Sequence, residues 1–136
     1  MAKNQWAKIE RRNKERLRLI AQESYVEVAS MVITKSPVDE GLFRNNWFSA
    51  LNSPSNHTTT TVAKKGFGEK GGARFTEFLH LSTSFDIGDQ LFLTNALPYA
   101  RRLEYGWSTT MAPQGMVRIS VAQWPLIVAK LARKIR

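Results

Sequence analysis

From Leu17 to the residues before Pro37, apolar side chains return at helical intervals. Leu17, Ile20, Ala21, Val28, Met31 and Val32 share one face and Glu23, Glu27 and Lys35 lie off it, which predicts one long helix ending near Thr34. Pro37 supplies the stop, because a proline pushes the residue before it, here Ser36, out of the α region. Upstream the pattern changes: between Ile9 and Leu17 there is no apolar residue, while Glu10 and Lys14 are spaced as an i, i+4 pair. The first half of the helix is therefore expected to stand in solvent or to order against a partner.

Beyond Pro37 the period shortens. Residues 45–52 read as a strand with Trp47, Ser49 and Leu51 on one face, and the β-branched run 57–63 is its expected partner. The Asn-Ser-Pro-Ser-Asn between them carries turn chemistry. Residues 64–72 (KKGFGEKGG) read as a flexible Gly-rich loop, and residues 73–81 as a short helix presenting Phe75, Phe78 and Leu79. Asp86, Gly88 and Asp89 predict a turn before a buried strand at Leu91, Phe92 and Leu93. Pro98 and Gly106 punctuate a further helix, with Ala100, Leu103 and Trp107 inward and Arg101, Arg102 and Glu104 turned away. In the tail, Val117, Ile119 and Val121 alternate as a strand would. Val117, Val121, Trp124, Val128, Leu131 and Ile135 keep helical spacing over a longer stretch, which favours a helix that Pro125 either kinks or begins. The expected fold class is α+β, a single domain over residues 1–136. It comprises a long N-terminal helix, a small antiparallel sheet, a short helix after the Asn-x-x-Pro-Tyr-Ala motif at 95–100, and a C-terminal helix.

Charge changes this picture at the two ends. The chain has 136 residues and a net charge of +9. Lys3, Lys8, Arg11, Arg12, Lys14, Arg16 and Arg18 against Glu10 and Glu15 leave the first twenty residues at +5, and Lys130, Arg133, Lys134 and Arg136 place +4 on the last eight. The body between is balanced. Residues 1–16 thus form a basic N-terminal arm, and Lys3, Lys8, Arg11, Arg12, Arg133, Lys134 and Arg136 are candidate contacts to a polyanion or to an acidic partner.

Other chemistry is thinly supplied. There is no cysteine, which excludes disulfides, thiolate nucleophiles and cysteine-based metal sites. The histidines are His57 and His80; Glu77 and His80 have the Glu-x-x-His spacing of a di-iron bundle, but no second copy accompanies them. In the loop 64–72, Lys70 precedes its glycines and no Ser or Thr follows, so the phosphate-loop pattern fails. No cofactor, no metal and no enzymatic activity are expected. No apolar run reaches the ~18 residues of a membrane span, and the start lacks the apolar stretch of a signal peptide, so synthesis in the cytoplasm without membrane contact is expected.

Three separate motifs carry a resemblance. They are Ser36-Pro37-Val38-Asp39-Glu40-Gly41-Leu42-Phe43-Arg44-Asn45-Asn46-Trp47; Leu93-Thr94-Asn95 with Pro98-Tyr99-Ala100; and Leu103-Glu104-Tyr105-Gly106 with Ala112-Pro113-Gln114-Gly115-Met116-Val117-Arg118. In this order the chain from about residue 30 onward resembles the tail-component family of tailed bacteriophages, whose members are neck or tail-completion proteins. The family's usual Thr-Pro-Val-Asp-Thr-Gly is here Ser-Pro-Val-Asp-Glu-Gly, with Ser36 and Glu40 at the two threonine positions. The resemblance implies a structural virion protein joining head connector to tail, in a homo-oligomeric ring that is hexameric or, alternatively, dodecameric. Adjoining head-connector and tail proteins, and DNA in the channel, are the implied partners. Physically the motifs read as architecture: Asp39 as a turn cap, Asn95 closing the backbone before Pro98, and Tyr99, Arg101, Arg102, Tyr105 and Trp107 as candidate subunit contacts. The competing reading is a small basic nucleic-acid-binding protein, resting on the two charged ends; an enzyme has almost no support.

Overall fold

The computed structural model describes residues 2–37, 42–60, 81–106 and 114–135, with the side chains of residues 2 and 3 outside that set. The expectations that concern Asp39, the loop 64–72, the helix 73–80, the Glu77/His80 pair, Trp107 and Arg136 fall outside the described residues.

Helix α1 runs from Ala2 to Lys35 and ends where the Pro37 rule places its end. Its second half carries the core: Tyr25, Val26, Val28, Ala29, Val32 and Ile33 are buried. Leu17 departs from expectation, being 54% exposed, so the packed face begins one turn later at Ile20. The Glu10–Lys14 pair forms at 3.0 Å. After Pro37 come a single helical turn, α2 (Leu42–Asn45), and strand β1 (Trp47–Leu51). The strand starts two residues later than its sequence pattern suggests, because Asn45 and Asn46 complete the turn. Nor does it alternate cleanly: Trp47 and Phe48 are both buried, Trp47 in the core and Phe48 edge-on against His57 at 4.8 Å.

Strand pairing differs from expectation. β1 pairs antiparallel with β2 (Leu91–Asn95), from Trp47 opposite Asn95 to Leu51 opposite Leu91. Residues 57–60, the described part of the threonine run, are not a strand. The Asn46 side chain occupies both backbone groups of Thr59, donating to its carbonyl at 3.0 Å and accepting from its N–H at 2.9 Å. A residue tied in this way by a side chain has no free groups for a ladder. The sheet is fastened to α1 by the Tyr25 hydroxyl, which donates to the Phe92 carbonyl at 3.1 Å and pairs with the Ser49 hydroxyl. β2 is half-buried along its length rather than buried. The turn before it forms as expected, with the Asp89 N–H donating to the Asp86 carbonyl at 3.0 Å.

Helix α3 (Ala100–Glu104) follows Pro98 and closes at Gly106, whose φ of +87° is the left-handed cap expected of a glycine there. The tail resolves into two helices, α4 (Val117–Val121) and α5 (Trp124–Lys134). Pro125 stands in the first turn of α5, where its missing N–H breaks no bond, so it begins a helix and kinks none. The stripe expected from sequence holds at Val117, Val128, Leu131 and Ile135, which lie in or against the core, whereas Val121 and Trp124 at the break between the two helices are exposed at 46% and 39% and Ile127 is buried in addition. No described helix is long and apolar enough to cross a membrane.

Candidate functional site

The motif residues meet in two clusters. In the first, the Asn95 amide donates to the Phe43 carbonyl at 3.0 Å and its oxygen accepts the Leu97 N–H at 3.2 Å, closing the backbone before Pro98 as expected. Phe43 packs edge-on against Trp47 at 5.8 Å and tilted against Tyr99 at 6.0 Å. Trp47 donates its indole N–H to the Ser36 hydroxyl at 2.9 Å, which in turn donates to the Val32 carbonyl at 2.7 Å. A threonine at position 36 carries the same hydroxyl.

The second cluster corrects the expectation that Glu104 turns away from the protein. Its carboxylate turns inward and accepts the backbone N–H groups of Met116, Val117 and Arg118 at 2.8–2.9 Å, which caps α4 from another segment of the chain. Burial alone raises the Glu104 carboxyl pKa, but the bonds from Arg118, Met116 and Val117 outweigh it and hold the group below its ordinary value. Gly115 makes the approach possible: its φ is +80°, and a Cβ there would lie 2.2 Å from the Glu104 carbonyl oxygen. Arg118 returns to Glu104, donating to the carboxylate at 3.1 Å and to the backbone carbonyl at 2.7 Å. The Tyr105 ring is within cation–π range of two guanidinium groups, Arg118 at 4.6 Å and Arg101 at 5.9 Å from its centroid. Of the expected subunit contacts, Tyr105, Arg101 and Arg102 are exposed and Tyr99 is half-buried on Phe43. These two clusters are built of caps and stacked rings, and among the described residues no group of three His, Cys, Asp or Glu is placed to hold a metal.

The surfaces that remain open are of two kinds. Residues 4–15 of α1 are exposed throughout. On that arm Trp6 (70% exposed), Ile9 and Leu17 fall with buried Ile20 within roughly a quarter of the helix circumference, so the stripe that enters the core continues outward as exposed side chains. A stripe of three residues separated by Asn13 gives no periodic run, which is why the sequence pattern did not show it. An apolar groove of about 170 Å³ opens elsewhere, between Val28 and Val32 of α1, Leu91 and Leu93 of β2, and Val121 and Trp124.

The second kind is basic. Lys8, Arg11, Arg12, Arg133 and Lys134 are all exposed. Sequence reasoning did not join them. Arg16 does so, donating from Nε to the Ile135 carbonyl at 2.8 Å and from Nη2 to the Ala132 carbonyl at 2.7 Å. Its guanidinium thereby caps the C-terminal carbonyls of α5, where a positive charge also opposes the helix dipole. No local pattern announces a bond between residues 119 positions apart. Compared with family models, curated proteins and solved structures, the chain matches none.

Proposed function

We propose that this chain is a structural subunit of a tailed-phage virion, a neck or tail-completion protein that joins head connector to tail as a ring of identical copies, six in number. The observation that carries this reading is the arm. Twelve consecutive exposed residues continue a packed helix outward, and their apolar stripe of Trp6 and Ile9 lies in water. Such a stripe suits contact with a partner. The motif resemblance supplies the kind of assembly, and the motif clusters, being made of caps and stacking, suit a scaffold better than a reaction centre.

A head-to-tail ring needs two unlike surfaces on one subunit, and the arm and the apolar groove are such a pair. Their sizes agree: an apolar cavity of about 150 Å³ holds a benzene ring, and the groove here has about 170 Å³. Trp6 of one copy is the side chain assigned to the groove of the next. Arg101, Arg102 and Tyr105 form a further exposed contact surface beside the second motif cluster.

Light scattering with negative-stain microscopy of the purified chain tests this. The expected result is a closed ring that Trp6→Asp with Ile9→Asp disperses to monomers of unchanged helix content, and that Arg101→Glu with Arg102→Glu weakens. A chain that stays monomeric at high concentration, or a ring indifferent to both pairs of substitutions, overturns the proposal.

A further inference from the structure

The Arg16 bonds place the chain's two basic ends side by side. Lys8, Arg12 and Arg16 are successive i, i+4 positions, rising about 6 Å per step along one face of α1. The row ends at the carbonyls of Ala132 and Ile135, with Arg133 and Lys134 between them. On α5, Lys130, Arg133 and Lys134 are i, i+3 and i+4 neighbours and all are exposed. Arg11 lies beside the row on α1. The result is one surface of six exposed cations: Lys8, Arg11, Arg12, Lys130, Arg133 and Lys134.

Among the described residues, the carboxylates closest to that surface are Glu10 and Glu15 of the arm and Asp86, which lines a pocket with Arg11. The arm's two carboxylates are engaged by other residues, Glu10 by Lys14 and Glu15 by Arg18. Among the described residues none of the six cations forms an ion pair. We infer that this joined surface binds the sugar-phosphate backbone of duplex DNA without reading its sequence. Phosphate is favoured over an acidic protein because the surface is dominated by charge, with six exposed cations on two helices and none of them in an ion pair among the described residues. Stable protein interfaces centre on buried aromatic or apolar anchors, whereas phosphate contacts require only charge. The inference holds for the single subunit, so it stands whether or not the subunits close into a ring.

The test measures anisotropy of two fluorescent duplexes of unrelated sequence with the full-length chain over a range of salt, with poly-glutamate as competitor. Equal affinity for both duplexes is expected, with log K falling against log salt at a slope of about −5, as six neutralised phosphates require. Replacing Lys8, Arg12, Arg133 and Lys134 by glutamine, all exposed and outside the core, is expected to bring the slope to about −2. Lys14→Gln, whose cation is already paired with Glu10, is expected to leave the slope near about −5. Poly-glutamate competing as well as DNA, a strong sequence preference, or a quadruple variant with the wild-type slope would overturn the inference.

Discussion

Helix α1 offers two halves of one element under opposite conditions. From Ile20 to Lys35 it is pressed against β1, β2 and α5, with Ile33 fully buried. From residue 4 to residue 15 the same helix touches solvent along its length. An isolated helix this short is marginal in water because nucleation is costly. Here the packed half has already formed the nucleus, so the arm needs only propagation, aided by the Glu10–Lys14 and Glu15–Arg18 pairs. The contrast teaches that helix formation and fold stability are separable in this protein: the arm inherits its conformation from the body and contributes little to holding the body together.

The largest effect that tests the contrast comes from equivalent truncations in the two halves. Ile33→Ala removes buried methylenes and is expected to cost about 2–5 kcal/mol in urea unfolding of the monomer. Ile9→Ala on the arm is expected to stay within about 0.5 kcal/mol. A comparable loss in the arm variant would show that the arm packs on its own body.

An intermediate effect is expected at Glu104, the body's long-range cap. Glu104→Gln removes the charge that receives three N–H groups and is expected to destabilise by about 1–2 kcal/mol at neutral pH. Because the folded-state pKa of Glu104 lies below its unfolded value, its contribution is fully present above the ordinary carboxylate range and is lost as pH falls through the depressed folded pKa. Melting curves of wild type and variant should therefore converge on acidification. A gap that stays constant to low pH would mean that the charge of Glu104 is not what holds α4.

The smallest effect belongs to deletion of residues 2–12. That segment contributes Trp6, Ala7 and Ile9, all exposed, so little area returns to water when it is removed. Thermal melting of the monomer is expected to shift by less than ~0.5 kcal/mol equivalent, whereas ring formation and DNA binding are expected to fall. A large drop in melting temperature would assign the arm to the fold.

Much of this architecture can be read along the chain. The end of α1 before Pro37, the turn at Asp86 to Asp89, the opening of α3 after Pro98 and its close at Gly106 all follow from steric limits on single residues or from i, i+4 geometry, which act wherever the chain goes. The exposed arm follows as well, since a segment without apolar residues from 10 to 16 has nothing to bury. What the tertiary structure decided is each choice between distant partners. β1 pairs with residues 91–95, and the described part of the nearer threonine run, residues 57–60, is no strand because Asn46 holds Thr59 by side-chain bonds. Glu104 turns inward because Gly115 lets the start of α4 come within reach of its carboxylate, and the two basic ends meet because Arg16 spans to the last turn of α5. Hydrogen bonds of this kind depend on where two separately formed elements come to rest, a quantity that no local spacing encodes.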